Sequence, residues 1–472
     1  MAHDYKKLGF KSGIEIHQQI EGKKLFCNCP TEIRKDEPDF SVKRRLRASA
    51  GETGKADIAA LYEMGKQKHY LYQGYEDSTC LVELDESPPR PLNPEALAIV
   101  FQVCKMLNAK VVDQIQVMRK IVIDGSNTTG FQRTALIGRD GYIEVNGKRI
   151  GIPTICLEEE ACQVMKRTKT HDVYNLSRLG IPLIEIATDP DMATPEEARD
   201  VAAKLGMILR STGKMKRGIG SIRQDVNMSI KGAGRIEIKG FQDLRSIPKV
   251  IDKEIDRQLK LTKQGKKIES HVRKAEPDFS TSFLRPMPGA ARMYPETDIP
   301  KIVSPDTKAI KVPKLIEHQA EDYEKDYKLP KGYGQQLVKA GIEFDDYAKK
   351  YSKIEPVLLA EFFIKIPKDL KSRENVEIDP KKQADILEQL NKGKIPKSAL
   401  NKVLLLKAKG KKVDYSKYSG AGDSEIRKAV KEAIAKDPKA PIGALMGQVM
   451  AKLKGRADGK KVMELLKEQL DS

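Results

Sequence analysis

The sequence predicts an α+β protein with a large mixed sheet in its N-terminal part and helices in the remainder. Between residues 13 and 300, short segments rich in β-branched residues alternate apolar and polar positions with a period of two, which predicts strands. After Pro300 this pattern gives way to amphipathic helical segments. A run of strands followed by a run of helices is typical of the α+β class.

The strand and helix patterns fall on particular segments. Five segments carry the strand pattern: GIEIHQQI (13–20), VMRKIVID (117–124), IPLIEIA (181–187), GSIRQDVNMSI (220–230) and RIEIKG (235–240). Two helices are predicted among them. The first has Thr194 as N-cap and Pro195 in its first turn, and it ends at Gly213. The second carries an apolar stripe at Val250, Ile251, Ile255 and Leu259.

The chain divides into three predicted domains. Residues 1–305 form the large α+β domain, residues 306–404 a helical connector, and residues 405–472 a small basic tail. The tail is predicted to contain three helices: one from Ser424, one over IGALMGQVMAKL and one over GKKVMELLKEQL. No apolar run approaches the roughly 18 residues that a membrane span requires, and no apolar leader follows MAHDYKK, so we expect a cytoplasmic protein without a membrane anchor.

The charge distribution indicates a polyanionic partner. The formal net charge is +19 and the pI about 9.3. Residues 391–472 contain 20 Lys and Arg against 9 Asp and Glu, a net of +11, whereas residues 301–390 are neutral. A concentrated basic tail favours nucleic-acid binding; a solvated lysine-rich surface is the alternative.

The six cysteines do not form a disulfide framework, since they are few and unevenly spaced in a long chain. Cys27 and Cys29 form a C-x-C pair that could be half of a zinc site. Because no second pair with C-x-x-C spacing follows, we expect thiols rather than bound zinc.

Carboxylates and one imidazole recur in the predicted strands. Glu15 and His17 are two residues apart and share a face, and Glu185 stands among apolar neighbours. At least one residue of the run 158–160, three consecutive glutamates, must point inward, and Asp225 shares a face with Arg223 and Asn227. Hard oxygen ligands of this kind suit Mg²⁺ and a triphosphate, although each position alone is also explained as the polar face of an amphipathic strand.

Familiar nucleotide-binding signatures are missing. No P-loop occurs, and KRGIGSIRQD has only the first two glycines of G-x-G-x-x-G. The segment RPMPGAARMYPETDIP (285–300) contains too many prolines for a helix or a central strand. It is interpreted either as an irregular segment at a site or as a linker.

Long motifs in a fixed order resemble the GatB/GatE family of tRNA-dependent amidotransferase subunits, and they are closer to the archaeal E type. They are GIEIHQQI with LFCNCPT, VELDESPPRPLN, MRKIVIDGSNTTGFQRT, LGIPLIEIATDPD, KRGIGSIRQDVN, RIEIKG and RPMPGAARMYPETDIP. The segment IGALMGQVMAKLKGRADGKKVMELLKEQL looks like the family's YqeY-type tail. The resemblance implies a cradle-shaped catalytic domain, a helical connector and a tRNA-binding tail.

The resemblance also implies a reaction and a site. ATP would phosphorylate the γ-carboxylate of Glu-tRNA(Gln), and ammonia would then displace phosphate to give Gln-tRNA(Gln). Carried over by motif, the Mg²⁺ ligands are His17, Glu158 and Glu185. The further acidic positions are Glu15, Asp225 and Glu237. The positions expected to contact the nucleotide are Lys239, Arg292, Tyr294 and Glu296, with Asp298 in the same block.

Two departures from the family and one missing activity shape these expectations. E-type subunits carry an aspartyl-tRNA-synthetase-like insertion, but here only KKIESHVRKAEPDFSTSF (266–283) precedes the RPMPGAARMYPETDIP block. B-type subunits complete their zinc site with a second cysteine pair that this sequence lacks. Since no glutaminase motif is present, the resemblance implies a GatD-type, asparaginase-related partner in a heterodimer or heterotetramer.

Two other interpretations stay open. A bacterial B-type subunit would also act on Asp-tRNA(Asn), and the E-type spellings disfavour it. A tRNA-binding scaffold without catalysis would account for the missing insertion and the basic tail, and the retention of His17, Glu158 and Glu185 disfavours it.

Overall fold

The fold separates strands from helices along the chain. The computed structural model describes residues 3–47, 54, 58–241, 243–287, 293–411, 413–418, 422–438, 440–453, 457 and 459–470. The chain divides into two compact units, Met1–Pro313 and Lys314–Ser472. The described strands all lie in the first unit, and the second is helical. The predicted α+β class is confirmed.

The first unit is built on strands β1 to β17. They are β1 (Lys11–Gln19), β2 (Phe40–Arg44), β3 (His69–Gly74), β4 (Lys110–Val111), β5 (Gln114–Ile115), β6 (Val117–Ile121), β7 (Phe131–Val145), β8 (Lys148–Glu159), β9 (Gln163–Arg167), β10 (His171–Asn175), β11 (Pro182–Ala187), β12 (Ile222–Ser229), β13 (Ile236–Phe241), β14 (His271–Ala275), β15 (Thr281–Pro286), β16 (Met293–Pro295) and β17 (Ile302–Val303). All five segments with the strand pattern form strands (β1, β6, β11, β12 and β13).

Most strands belong to one large sheet with the order β15-β14-β13-β12-β1-β11-β8-β7-β6-β16, in which β4 also pairs with β7. β13 and β14 run parallel and the other pairs run antiparallel, so the sheet is mixed. A smaller sheet has the order β2-β3-β10-β9, and β5 pairs with β17. In the described part of the proline-rich block, β15 ends at Pro286 and the short strand β16 follows; both are edge strands, as expected where proline cannot donate to a central ladder.

Helices flank the sheets of the first unit: α1 (Ile58–Met64), α2 (Pro94–Met106), α3 (Pro195–Ser211) and α4 (Ser246–Lys263). The two predicted helices are α3 and α4. Thr194 caps α3 by accepting a hydrogen bond from the backbone N–H of Glu197. Helix α2 was missed, although Asn93 caps it. Its residues are apolar on most sides, and a continuous apolar run gives no helical period.

The second unit contains ten helices within its described residues: α5 (Ile316–Asp326), α6 (Tyr333–Lys339), α7 (Phe344–Lys350), α8 (Pro356–Ile364), α9 (Ile366–Glu374), α10 (Ala384–Asn391), α11 (Leu400–Ala408), α12 (Asp423–Lys436), α13 (Ile442–Lys452) and α14 (Gly459–Leu470). The last three are the predicted tail helices. None of the helices in the described part of the chain combines the length and the apolar character that a membrane crossing requires.

The second unit has two separate apolar cores. One core runs from Ala320 to Leu404 and is filled by residues such as Leu337, Phe344 and Phe362. The other joins α12, α13 and α14 through Val430, Leu445, Val449, Val462 and Leu466. The predicted boundaries at residues 305 and 404 stay predictions.

Candidate functional site

The predicted acidic residues and His17 lie on one face of the central strands. In the register of β1 with its two neighbours, His17 is opposite Glu185 of β11 and Glu15 is opposite Asp225 of β12. Glu158 comes from β8, the strand beyond β11. Side chains directly opposite across a strand pair share a face. The order β12, β1, β11, β8 therefore assembles one polar surface from segments that are far apart in sequence.

Three of these side chains converge closely enough to share one cation. Ligand atoms of His17, Glu158 and Glu185 all lie within 4.8 Å of one another. Nε2 of His17 is 3.1 Å from Oε2 of Glu185. His17 and Glu158 are buried, and Glu185 is mostly buried. We call these three residues the cation triad.

A second group surrounds the other side of His17. Ligand atoms of Glu15, His17 and Asp225 also lie within 4.8 Å of one another. Lys239 forms an ion pair of 2.7 Å with Asp225 and a further ion pair with Glu237. Two of the predicted acidic residues, Asp225 and Glu237, thus form ion pairs with the Lys239 ammonium in this structure.

The electrostatics of the site keep most of these groups charged. Burial by itself would raise the pKa of Glu185, but the positive charge of Lys120 and the hydrogen bond to His17 hold that pKa well below its usual value. Burial would lower the pKa of His17, and Glu185 outweighs it and raises that pKa. Burial raises the pKa of Glu15, and the nearby charge of Glu185 adds to the rise. The site is therefore an array of coupled charges around one imidazole.

The residues of the cation triad fit a divalent cation. Nδ1 of His17 is buried and has no hydrogen-bond partner among the described residues. One imidazole nitrogen and carboxylate oxygens form a donor set that Mg²⁺ or Mn²⁺ accepts, with room for water or phosphate oxygens as further ligands. The triad would hold the cation, and the coupled acidic residues around it set the local charge.

All three consecutive glutamates of β8 and its end are buried. Glu158 accepts a hydrogen bond of 3.0 Å from Gln132 and pairs with Lys120. The other two are held by arginines: Glu159 by Arg133 and Glu160 by Arg223. The sequence predicted at least one inward glutamate; the fold encloses the whole run, and each carboxylate is paired with a cationic side chain.

The proline-rich block contributes to this arginine network. Glu296 is buried and accepts hydrogen bonds from Arg119 and, at 2.7 Å, from Nε of Arg133. Asp298 lies 3.3 Å from Arg119, and Tyr294 packs edge-to-face on the neighbouring Phe131 ring. Arg292, which was expected at the nucleotide, lies outside the described residues. In this structure the Glu296 carboxylate fixes two arginines.

Sequence reasoning missed Lys120, which completes the site, and two arginines that lie on the opposite face of the sheet. Lys120, Arg119 and Arg133 all come from β6 and β7, and each pairs with a buried or mostly buried glutamate. Lys120 and Arg119 lie in the strand segment VMRKIVID, and no role was expected for either. The only sequence signal was that two consecutive cations in a five-residue strand place at least one of them on each face.

A separate group of potential metal ligands combines cysteines and a glutamate. Ligand atoms of Cys27, Cys29, Cys80 and Glu83 all lie within 4.8 Å of one another. The Cys27 thiol donates a hydrogen bond of 2.9 Å to Glu83, which also pairs with Lys24 at 3.0 Å. The expectation against zinc depended on the missing second cysteine pair. The fold instead brings C-x-x-E to the C-x-C pair, and three thiols with one carboxylate suit tetrahedral Zn²⁺.

Comparison with known families finds two matches along the chain. Residues 10–309 match the GatB/GatE catalytic domain, and residues 343–470 match the GatB domain that follows it. The first match alone covers more than half of the 472 residues and includes every predicted site residue.

Relatives from archaea are similar over their whole length. The E-type subunit of glutamyl-tRNA(Gln) amidotransferase from Archaeoglobus fulgidus is 37% identical, with 99% of each chain covered. The corresponding E-type proteins of Methanocaldococcus jannaschii and Thermococcus gammatolerans are 36% and 33% identical, with at least 99% of each chain covered. The alignment with the first runs over 614 positions, more than the 472 residues of this chain, so that relative contains residues without a counterpart here.

Proposed function

The chain belongs to the GatB/GatE family, and on that premise we propose that its cation triad activates Glu-tRNA(Gln) with ATP for conversion to Gln-tRNA(Gln). This is the activity of a glutamine-dependent amidotransferase, a ligase that forms a C–N bond. The observation that carries the proposal is the convergence of His17, Glu158 and Glu185, from three different strands, within 4.8 Å. No stability requirement explains a histidine and two carboxylates gathered in a largely buried site.

The reaction requires two bond exchanges. In the first, a P–O bond forms on the γ-carboxylate while the bond between the γ- and β-phosphates of ATP breaks and ADP leaves. In the second, the nitrogen of ammonia attacks the carbonyl carbon, the C–O bond to phosphate breaks, and the nitrogen loses a proton. Both exchanges gather negative charge, so positioning and charge neutralisation are the main tasks of the protein.

The residues divide these tasks among themselves. His17, Glu158 and Glu185 would hold Mg²⁺, which supplies charge neutralisation to the phosphates when bound. Asp225 and Glu237 pair with Lys239, and Glu15 adds a further negative charge near its ammonium. Glu296 orients Arg119 and Arg133 through hydrogen bonds on the opposite face of the sheet from Lys120 and Glu158, so these arginines support the strands that carry the site. Tyr294 and Arg292 belong to the same proposed nucleotide-contacting block.

The chain is proposed to work with two partners. Its sequence has no glutaminase motif, so we infer an asparaginase-like partner of the GatD type that supplies ammonia, in a heterodimer or heterotetramer. The second partner is Glu-tRNA(Gln), whose backbone would be bound by the basic tail of residues 405–472. None of the six cysteines forms a disulfide, which favours a cytoplasmic location.

Ammonium salts test the activity of this chain without its partner. The purified chain, ATP, Mg²⁺ and Glu-tRNA(Gln) should give Gln-tRNA(Gln) when ammonium chloride is present, and glutamine should not replace ammonium. ATP hydrolysis should depend on Glu-tRNA(Gln). Glu361, which forms an exposed ion pair in the helical unit, offers a control, and Glu361→Ala should keep the ammonium-dependent rate.

The same assay separates the alternatives. Amidation of Asp-tRNA(Asn) at a comparable rate would favour the B-type interpretation. Binding of Glu-tRNA(Gln) without ATP hydrolysis or amidation, under any ammonium concentration, would favour a scaffold and overturn the proposed function.

A further inference from the structure

Lys120 lies among the carboxylates of the cation triad. Its ammonium forms an ion pair with Oε1 of Glu158 and is 3.7 Å from Oε2 of Glu185. The side chain reaches the triad from β6 and is only 13% exposed. The two carboxylates that would ligate a divalent cation therefore already share a monovalent one.

We propose that Lys120 is an exchangeable counter-charge: its ammonium balances Glu158 and Glu185 when no cation is bound, and it turns to the transferred phosphoryl group when a divalent cation takes its place. The inference rests on the proposed function of the triad and adds to it a positioning and phosphate-contacting role for a residue outside the expected site.

Competition follows from the geometry of the triad. A cation bound by His17, Glu158 and Glu185 must lie within about 2.5 Å of their ligand atoms. An ammonium that remained on Glu158 would then stand directly beside the cation, and like charges in a mostly buried site repel strongly. Lys120 and a divalent cation therefore exclude each other from these oxygens.

A lysine is suited to such an exchange. Its compact ammonium sits on a flexible four-carbon stem with several rotatable bonds, so it can change partners without moving the backbone. The strand that carries Lys120 pairs with β16, where Lys120 is in register with Met293 of the proline-rich block. The side chains of Lys120 and Met293 therefore share a face, whereas Tyr294 lies on the opposite face of the sheet, in register with Arg119.

Lys239 provides an internal comparison. It contacts Asp225 of the second group, but its other partner, Glu237, belongs to neither group. Lys239 thus keeps a carboxylate whatever binds at His17. The two carboxylates that pair with Lys120, in contrast, both belong to the cation triad, so Lys120 must leave them when the triad is filled.

The first experiment measures Mn²⁺ binding to the full chain without nucleotide, by electron paramagnetic resonance of the free ion. Lys120→Met should bind Mn²⁺ about tenfold more tightly than the unaltered chain, within the usual range of coupling between mutually exclusive ligands. Lys120→Arg keeps the charge and should bind no more tightly than the unaltered chain. Lys68→Met is the matched control, because Lys68 pairs at 2.8 Å with the buried carboxylate of Asp172 outside the site.

The second measurement tests the proposed contact between Lys120 and the transferred phosphoryl group. With saturating Mn²⁺, Lys120→Met should lower Glu-tRNA(Gln)-dependent ATP hydrolysis by roughly 10²-fold, the usual loss when one preorganised charge is removed. The variant thus gains cation affinity while it loses rate. If Lys120 had a merely structural role, Lys120→Met would lower both the Mn²⁺ affinity and the rate of ATP hydrolysis, or neither of them. Either result would overturn the proposal.

A labelling experiment on the unaltered chain avoids variants that fold poorly. Reductive methylation followed by peptide mass spectrometry should modify Lys120 faster when Mn²⁺ is present, because its ammonium leaves the carboxylates, whereas Lys68 should react at the same rate in both conditions. Equal rates for Lys120 would overturn the proposal.

The triad itself is tested by Glu158→Gln. If the Mn²⁺ affinity of this variant does not fall, the proposed cation site fails together with the exchange. If it falls but Lys120→Met has no effect on Mn²⁺ affinity, the exchange alone is overturned.

Discussion

The sheet unit and the helical unit differ in how exposed their ion pairs are. In the sheet unit, ion pairs such as Lys24–Glu83 and Arg133–Glu296 have both side chains at most 6% exposed. In the helical unit, pairs such as Lys371–Glu377 and Lys392–Glu388 are more than half exposed. The helical unit buries apolar side chains in its cores and leaves its lysines on the surface.

This difference shows that the number of charged residues in a unit does not indicate its function. Buried ion pairs are seldom justified by stability, because desolvation offsets most of the attraction. Exposed pairs contribute little and form wherever lysines and carboxylates are numerous. We therefore expect the basic tail to bind a partner and the sheet unit to carry the chemistry, although the charges of the sheet unit are less conspicuous in the sequence.

The largest expected effect comes from a buried carboxylate of the sheet unit. Glu185→Ala removes a proposed cation ligand and the partner of His17, so ammonium-dependent amidation should fall by roughly 10³-fold. Glutamine hydrolysis by the partner protein should remain measurable in the complex. Glu388→Ala, in an exposed pair of the helical unit, should keep full activity. Equal losses of amidation activity in both variants would contradict the proposed difference between the sheet unit and the helical unit.

The cysteine group tests whether a second buried cluster of the sheet unit holds a metal. Metal analysis of protein purified without chelators should find about one zinc per chain, as three thiols and a carboxylate suit tetrahedral coordination. Cys80→Ser should lose the zinc, while Cys104→Ser, a buried thiol outside the group, should retain it. Zinc-free protein with normal activity would support the expectation from the sequence that these cysteines are thiols without bound zinc.

Removal of the tail tests the exposed charges of the helical unit. Truncation before Ser419 should weaken Glu-tRNA(Gln) binding. It should also make the slope of log affinity against log salt concentration less steep by roughly 0.7 to 0.9 per lost phosphate contact. Mn²⁺ binding at the cation triad should be unchanged. The isolated loss of tRNA affinity would support the division of labour. Unchanged affinity and salt slope would identify the lysines as a solvated surface.

Acid should weaken the sheet unit through Glu160. Burial would raise the pKa of Glu160, but Arg223 and Arg178 lower it to about 2. Because the folded-state pKa lies below the unfolded one, the charged form stabilises the fold above pH 4.5, and this contribution is lost as the pH falls toward about 2. The unfolding free energy of Glu160→Gln should be about 3 kcal/mol lower near neutral pH, with a shrinking difference in acid. Denaturant titrations at several pH values measure this; a constant difference would contradict it.

The smallest effect is expected from an exposed ion pair. Lys371→Ala removes the partner of Glu377 on the surface of the helical unit, where water replaces the lost interaction. The melting temperature of the helical unit should stay the same within error. A clear decrease would show that surface pairs of this unit contribute more than their exposure indicates.

The sequence by itself determined the local structure and the family. The period-two segments, the Thr194 cap of α3 and the three tail helices were predicted because strand period and helix caps are properties of neighbouring residues. The apolar run of α2 was missed for the same reason, as it has no period to detect. The motifs that identify the family also named His17, Glu158 and Glu185, although no spacing rule relates residues that belong to three strands.

Only the tertiary structure decided which distant residues meet. The register of β1 with β11 and β12 places His17 beside Glu185 and Glu15 beside Asp225, and β6 adds Lys120. Cys80 and Glu83 reach the Cys27 pair from a turn between β3 and α2. Such contacts depend on long-range strand order and on loop closure, and the composition of a short segment contains no information about either.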